Sequence, residues 1–553
     1  MALRDQPGEG SVAVDYIVVG AGSAGCAVAA GLAAQPDTSV LLLEAGPRSR
    51  DPRVHLPAAA SELWFGSLDW AYTTEPQPGL AGRRDHWPRG RLLGGSSAIN
   101  ATMYVRGMDV DYDEWAAAGA TGWDAAAMTA AFLELEDDVR GPAPHRGVGG
   151  PVRVEHQRDP RPVTLAFLDA CEELGLPRVD DYHREPDGCA LNMVTQRDGR
   201  RWSAVDAFLR DHRPGPGSQL YVRTGVQVDR VAVDAGRAIG VDVTVDGATR
   251  FARARREVIL SAGTVASPTL LQRSGIGPAD DLRALGVDVV VDLPGVGANL
   301  QDHVVTGMVA AVRGGSLHGA DRDPRSLLAW LRNRRGPLTS STMEAIGFLR
   351  TRDAEPAPDI EVVALPMGIR DHGRVRHPRH ALTVGAVLLR PRSRGQVRLA
   401  SSDPSVAPLV DPRVFTDEGD DDLTRMVDGL AFVQRLLTET SALEPVVEEL
   451  LEPDRPLTDR AALADHARAL AQTLYHPVGT CRIGTDAAAV VDPELRVVGI
   501  DGLRVADASV MPTLIRGHTN APSMAIGMRA ARLIAPAGSV PSRGPGANGQ
   551  VVG

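Results

Sequence analysis

An α/β fold (α+β overall), with a Rossmann-like parallel sheet joined to a second domain, is what this sequence predicts, and three observations predict it. The chain opens with a strand, a glycine-rich turn, a helix and a second strand. Transitions from an apolar strand through small residues into a helix recur at 257–273 and 503–534. The length, 553 residues, exceeds what one hydrophobic core usually organises, so two domains are expected.

The opening unit is the most specific of the three. Residues 15–19 form a short apolar run of the kind buried in a parallel sheet. Residues 23–34, rich in alanine, read as a helix, and 39–43 as a second buried strand ending at Glu44. Between strand and helix, Gly20-Ala21-Gly22-Ser23-Ala24-Gly25 fits GxGxxG. In such a motif Gly20 allows the tight turn, Gly22 lets a pyrophosphate reach the backbone, and Gly25 lets helix and strand pack closely. The helix N-terminus adds free N–H groups and partial positive charge. Glu44, with Ala45 after it, stands where a carboxylate accepts ribose hydroxyls and disfavours a 2′-phosphate. This unit binds a dinucleotide but does not separate FAD from NAD.

The later transitions read as further strands of the same sheet, at 257–260 and 503–505, each followed by a helix, at 267–273 and 522–534. Residues after 536 are rich in Pro, Gly and Ser and are expected to form a disordered tail.

Composition removes several function classes. Hydrophobic residues are 43% and charged residues 23% of the chain, ordinary globular usage. No apolar run reaches the roughly 20 residues of a membrane-spanning helix. Residues 1–11 are polar and acidic, so no signal peptide is expected. A net charge of −11 speaks against a nucleic-acid partner. Cys26, Cys171, Cys189 and Cys481 form no CxxC pair, so neither a metal site nor a disulfide framework is expected, and a cytoplasmic location is the simplest. The sequence contains no lysine. That excludes P-loop ATPases and pyridoxal enzymes, which need a specific lysine.

Two further segments identify the cofactor. One runs from Gly90 to Gly107 and contains Arg91, Gly94, Gly95, Ser96, Ile99, Asn100 and Met103; the other runs from Gly263 to Gly277. Together with the first glycine turn and the run Leu503 to Pro512, containing Asp507 and Ala508, they resemble the glucose–methanol–choline (GMC) oxidoreductases. The choline dehydrogenases and related bacterial alcohol dehydrogenases look nearest. The resemblance spans about 15–534. It implies an FAD domain at 12–155, 201–302 and 471–535, interleaved with a substrate domain on an antiparallel sheet at 156–200 and 303–470. The tail is 536–553. It also implies that Val226 lies at the adenine end. Gly94 and Gly95 allow backbone to approach the flavin, while Ser96 and Asn100 can hydrogen-bond it.

Alcohol oxidation needs a base for the hydroxyl proton. By the same resemblance, His476 in Tyr475-His476-Pro477 is the base. His518, four residues before Pro522, is its partner at the substrate oxygen, with Asn520 and Pro522 against the isoalloxazine ring. Choline-type relatives carry asparagine where His518 stands; sugar and aryl-alcohol oxidases carry histidine. Glu344 is read as serving the fold, with a cationic substrate group as the alternative contact. Trp64, Phe65 and Trp70 form either a roof over the site or surface packing, and Asp420–Asp422 a helix start.

The expected activity is oxidation of a small-molecule alcohol to an aldehyde or ketone, with oxygen or a quinone-type carrier as acceptor and possible homo-oligomers. The alternative is a redox-neutral lyase of hydroxynitrile lyase type on the same fold. Some family members attach FAD through a histidine just before the equivalent of Asn100; here that residue is Ile99, so FAD is expected to be non-covalent. Acid or heat should therefore release free flavin into the supernatant, and flavin that stays with the precipitate would show a covalent bond.

Overall fold

In the computed structural model, which describes residues 13–535, two seven-stranded sheets carry the architecture. The tail expected at 536–553 and the polar N-terminus, residues 1–11, lie outside the described residues.

The first sheet collects β1 (Ala13–Val19), β2 (Ser39–Glu44), β3 (Gln219–Thr224), β4 (Gln227–Asp234), β5 (Arg237–Val245) and β6 (Ala248–Leu260) in the order β3-β2-β1-β6-β5-β4. The short strand Leu503–Val505 pairs with the end of β6. The β3-β2-β1-β6 half and the Leu503–Val505 pairing are parallel, whereas β4, β5 and β6 form an antiparallel meander. Strands from both ends of the sequence thus share one sheet. Burial explains their composition: Ile17, Val18, Leu42, Val258, Ile259 and Leu260 have at most 2% exposure, as expected for strands covered on both faces.

The helices Ser23–Ala33 and Asn520–Ile534 pack against each other over this sheet. Their contact is close because it is made by small residues. A methyl group on Gly527 would fall 2.4 Å from the Ala24 carbonyl oxygen, and one on Gly31 would fall 2.5 Å from Ala531 Cβ.

The second sheet is antiparallel throughout. Its main strands are β7 (Val304–Val312), β8 (Ala345–Leu349), β9 (Ile360–Leu365), β10 (Ala381–Leu388) and β11 (Val447–Glu452), in the order β11-β7-β10-β9-β8. Cys189–Leu191 extends the β8 edge, and Gln472–Thr473 pairs with β7. Because side chains alternate along a strand, this sheet has two functions. Val304, Met308, Ala310, Ile360, Val362, Leu382 and Val384 belong to a core that includes the helices Pro162–Glu173 and Asp421–Glu439. The alternate residues Val305, Gly307, Val309, Val363, Leu365, Thr383 and Gly385 face the other way and line a cavity. The acidic run Asp420–Asp422 sits at the start of the Asp421–Glu439 helix, as the sequence suggests. Among the described residues, no helix is long and apolar enough to cross a membrane.

Candidate functional site

The cavity, about 560 Å³, runs from the glycine turn after β1 to the floor made by the second sheet. Its near end is shaped by backbone. Gly20 has φ +97°, a conformation that disfavours a side chain, and a Cβ there would lie 2.5 Å from the Ser261 carbonyl oxygen. A methyl on Gly25 would fall 1.9 Å from the Gly20 oxygen, so this glycine sets how closely helix meets strand. At Gly22 a Cβ would meet nothing within 4 Å, so the backbone there is open to a ligand. The second glycine segment lies directly on the first: Gly94 N–H donates to the Ala21 carbonyl (2.8 Å), and a Cβ on Gly95 would lie 2.8 Å from Gly22 Cα.

Three helices begin at this end of the cavity. Ser23 Oγ donates to Asn520 Oδ1 (2.7 Å), tying the first turns of two of them together. Asp507 ties in the third. Its carboxylate accepts from Gly263 N–H (2.8 Å), the Ser267 hydroxyl (2.6 Å) and Ser509 N–H (2.8 Å).

Glu44 is buried. Its two oxygens accept from Ala21 N–H (3.0 Å) and Gly46 N–H (2.9 Å), so it braces the glycine turn from inside as well as lining the cavity. Burial pushes its carboxyl up to about 7. Asn100 Oδ1 accepts from Thr102 N–H (3.0 Å) and Arg201 Nη1 (2.6 Å), which leaves its amide NH₂ as the group it can offer a ligand. Ser96 Oγ accepts from Gly90 N–H (3.1 Å).

Most of the residues singled out in the sequence come together on this wall: Gly20, Gly22, Ser23, Glu44 and Ala45; Gly95, Ser96, Asn100 and Met103; Val226, Asp507, Ala508 and Asn520. Gly25, Gly94 and Pro522 stand behind it and shape it through packing. The Arg91 guanidinium lies over the Trp70 ring, 4.9 Å from its centroid, and is not part of the wall. Trp64 and Trp70 line the cavity, and the Trp64 indole N–H donates to the Ile99 carbonyl (3.1 Å). Phe65 packs instead on His86 and Arg374. Glu344 does not face the cavity; it accepts from Arg161 N–H and the Thr164 hydroxyl, both at 2.7 Å, and so serves the fold.

At the far end, His476 and His518 face each other with ring centroids 4.5 Å apart. His518 Nε2 lies 3.1 and 3.2 Å from the two oxygens of buried Glu361, so Nε2–H donates to that carboxylate and Nδ1 is left without a protein partner among the described residues. Glu361 lies on the same face of β9 as Val363 and Leu365.

A third histidine decides the state of the second. His303, just before β7, places Nε2 3.1 Å from the Leu389 carbonyl oxygen and 3.0 Å from the Ile515 carbonyl oxygen. Carbonyls only accept, so the His303 proton sits on Nε2 and Nδ1 carries a lone pair. That lone pair faces His476 Nδ1 at 2.9 Å. His476 therefore donates from Nδ1–H, and its Nε2 is the unprotonated, basic nitrogen. Desolvation holds both rings neutral. It lowers His303 to about 3, and burial, with the neighbouring His518, His303 and Arg89, holds His476 well below the usual histidine value. The backbone of His476 is fixed as well: its N–H donates to Asp302 Oδ1 (2.8 Å), and Arg89 Nη2 donates to the Tyr475 carbonyl (2.6 Å).

Sequence reasoning found the two histidines that face each other and missed His303, Glu361, Asp302 and Arg89. His303 carries only a weak sequence signal, a polar pair (Asp302-His303) opening an otherwise apolar strand. Glu361 carries a clearer one, a lone acid inside the apolar run of β9.

Comparison with known proteins agrees with this architecture. Models of the GMC oxidoreductase N- and C-terminal domains match residues 14–305 and 391–527. An uncharacterised GMC-type oxidoreductase of Mycobacterium tuberculosis is 44% identical over 94% of this chain and 99% of its own length. Mitochondrial choline dehydrogenase of Homo sapiens is 38% identical, with 96% and 91% covered. Alcohol dehydrogenase [acceptor] of Pseudomonas putida is 37% identical, with 94% and 95% covered. The crystal structure of pyridoxine 4-oxidase from Mesorbium loti superposes with a TM-score of 0.85 at 33% identity, covering 94% of this chain and 98% of that one. The chain belongs to the GMC oxidoreductase family and is an FAD-dependent oxidoreductase, with choline and alcohol dehydrogenases among its relatives.

Proposed function

We propose that this enzyme oxidises an uncharged, largely apolar alcohol to an aldehyde or ketone, with His476 as the base. The observation that carries the reading is the unprotonated Nε2 of His476, which has no protein partner among the described residues and stands opposite His518 in a desolvated cavity.

The open backbone at Gly22, the three helix starts and the Glu44 end fit a long dinucleotide that reaches the histidines. Gly20, Gly22 and Ser23 would hold the FAD pyrophosphate, Glu44 and Val226 the adenosine end, and Gly95, Ser96, Asn100 and Asn520 the flavin. FAD bound there would supply the hydride acceptor for the carbinol carbon. The chain supplies the rest. His476 Nε2 takes the hydroxyl proton. His518, held through Nε2–H by Glu361, turns Nδ1 to the other side of the substrate oxygen; with a proton on Nδ1 as well it would donate to that oxygen, and Glu361 would balance the ring's charge. Ile99 leaves no nucleophile for covalent attachment at that position, which supports non-covalent FAD. Oxygen or a quinone-type carrier would serve as the final electron acceptor.

The floor argues for the substrate class. Val305, Val309, Val363 and Leu365 line it, and Gly307 and Gly385 leave its centre without side chains. A quaternary ammonium seated there would lose its water with no unengaged carboxylate in return, because Glu361, on the same face of β9, already holds His518. The acids Asp371 and Glu452 also line the cavity; Glu452 stands opposite Val309 in the sheet, at the edge of the floor, and its charge is paired to Arg370 (2.7 Å).

Under anaerobic conditions, apolar primary and benzylic alcohols should bleach the flavin, and choline and glucose should do so far more slowly. Faster bleaching by choline would contradict the substrate class alone. A cyanohydrin cleaved while the flavin stays oxidised and every alcohol leaves it oxidised would favour the lyase. His476→Ala should retain FAD and lower the flavin-reduction rate about 10²–10⁴-fold; reduction at the parent rate would remove His476 as base.

A further inference from the structure

The helix Pro324–Asn333 carries an apolar face that the rest of the described chain leaves uncovered. Leu327, Leu328 and Leu331 are 46%, 62% and 57% exposed. Buried Ser326 and Trp330 dock the opposite face, with the Trp330 indole N–H donating to the Gly199 carbonyl (2.9 Å). At 100° per residue the three leucines fill one continuous arc beside Trp330, and Arg325 and Arg332 fall together on the next. Large aliphatic side chains clustered in solvent mark a contact surface.

Charge indicates what that surface meets. The chain carries −11 overall, yet residues 322–335 hold five arginines against one acid, Asp323. Arg335 pairs with Asp159 (2.9 Å) and Arg334 stacks on Trp330. Arg322, Arg325 and Arg332 are exposed and form no ion pair with another described residue. An exposed leucine arc bordered by unpaired arginines is the pattern of a helix lying in a bilayer interface, leucines at the acyl boundary and guanidinium forks on headgroup phosphates.

The helix also sits at the cavity mouth. Arg376 bridges Asp321, just before the helix, and Glu62, each at 3.6 Å. Glu62 neighbours Ser61, which lines the cavity, and the segment Pro57–Leu63 packs on Pro337–Thr339, just after the helix. Val375, beside the 370–373 rim, is a further exposed apolar residue at 38%.

We infer that the helix Pro324–Asn333 docks the enzyme peripherally on an anionic lipid bilayer through Leu327, Leu328 and Leu331 and its unpaired arginines, bringing the cavity mouth to the membrane surface. This goes beyond the catalytic reading and does not rest on it.

The test is co-sedimentation of the FAD-loaded full chain with phosphatidylcholine vesicles, with and without phosphatidylglycerol. The enzyme should pellet with the phosphatidylglycerol vesicles and be released by added salt. Arg325→Glu/Arg332→Glu should weaken binding about thirtyfold or more, from roughly fivefold per basic residue. Leu328→Glu/Leu331→Glu should abolish it. Both variants should keep the flavin spectrum and turnover of a water-soluble alcohol, since none of these residues lines the cavity. Three outcomes would overturn the proposal. The parent enzyme could stay in the supernatant, or the variants could bind as the parent does. Light scattering could instead show a dimer that Leu328→Glu/Leu331→Glu splits, in which case the face joins two copies of the chain.

Discussion

The direction of one hydrogen bond, from His476 Nδ1–H to His303 Nδ1, sets what the reacting end of the cavity can do. Two backbone carbonyls impose it. Leu389 and Ile515 both point their oxygens at His303 Nε2, and the opposite tautomer would leave two buried carbonyls without a donor, at about 1–3 kcal/mol each. Because 1.4 kcal/mol is tenfold, that cost outweighs any ordinary preference between imidazole tautomers. His303 is thus a spacer that keeps its own proton on Nε2 and accepts the His476 hydrogen bond at Nδ1. The basic lone pair is pushed through His476 to Nε2, where a substrate hydroxyl can reach it.

The same interaction explains why two sheets are needed. Leu389 follows the last residue of β10, on the second sheet, and Ile515 belongs to the segment after the first sheet's strand Leu503–Val505. His303 lies where the two meet, and Asp302 beside it holds the His476 backbone. Glu361 reaches His518 from β9, the strand that also supplies Val363 and Leu365 to the floor. One strand therefore orients the His518 ring and shapes the cavity floor. A shift of one residue in its register would turn Glu361 into the apolar core and Val362 onto the floor, losing both functions.

What could be read from the sequence follows from what constrains it. The glycine turn was legible because backbone geometry forces glycine at Gly20 and Gly25 whatever surrounds them. The parallel strands were legible because burial on both faces leaves unbroken apolar runs. His476 and His518 were legible through the segments that carry them. His303 and Glu361 were not, because their partners, Leu389 O, Ile515 O and His518, are far away in sequence and chosen only by the fold. Arg91 shows the reverse case. It lies in a cofactor-like segment, yet its side chain turns to Trp70 and only its backbone, against Gly46, helps shape the glycine loops. Alternation along β7, β9 and β10 sets which residues form the floor, but nothing local tells which face meets a helix and which meets a ligand.

The claim at the centre of this account is a proton position, and ¹⁵N NMR of histidine-labelled, FAD-loaded enzyme reads it directly, with the His476 signals assigned by their loss in His476→Gln. The account predicts a neutral ring at pH 7, with Nδ1 protonated and Nε2 bare. A protonated Nε2, in either the other tautomer or the imidazolium, would contradict it.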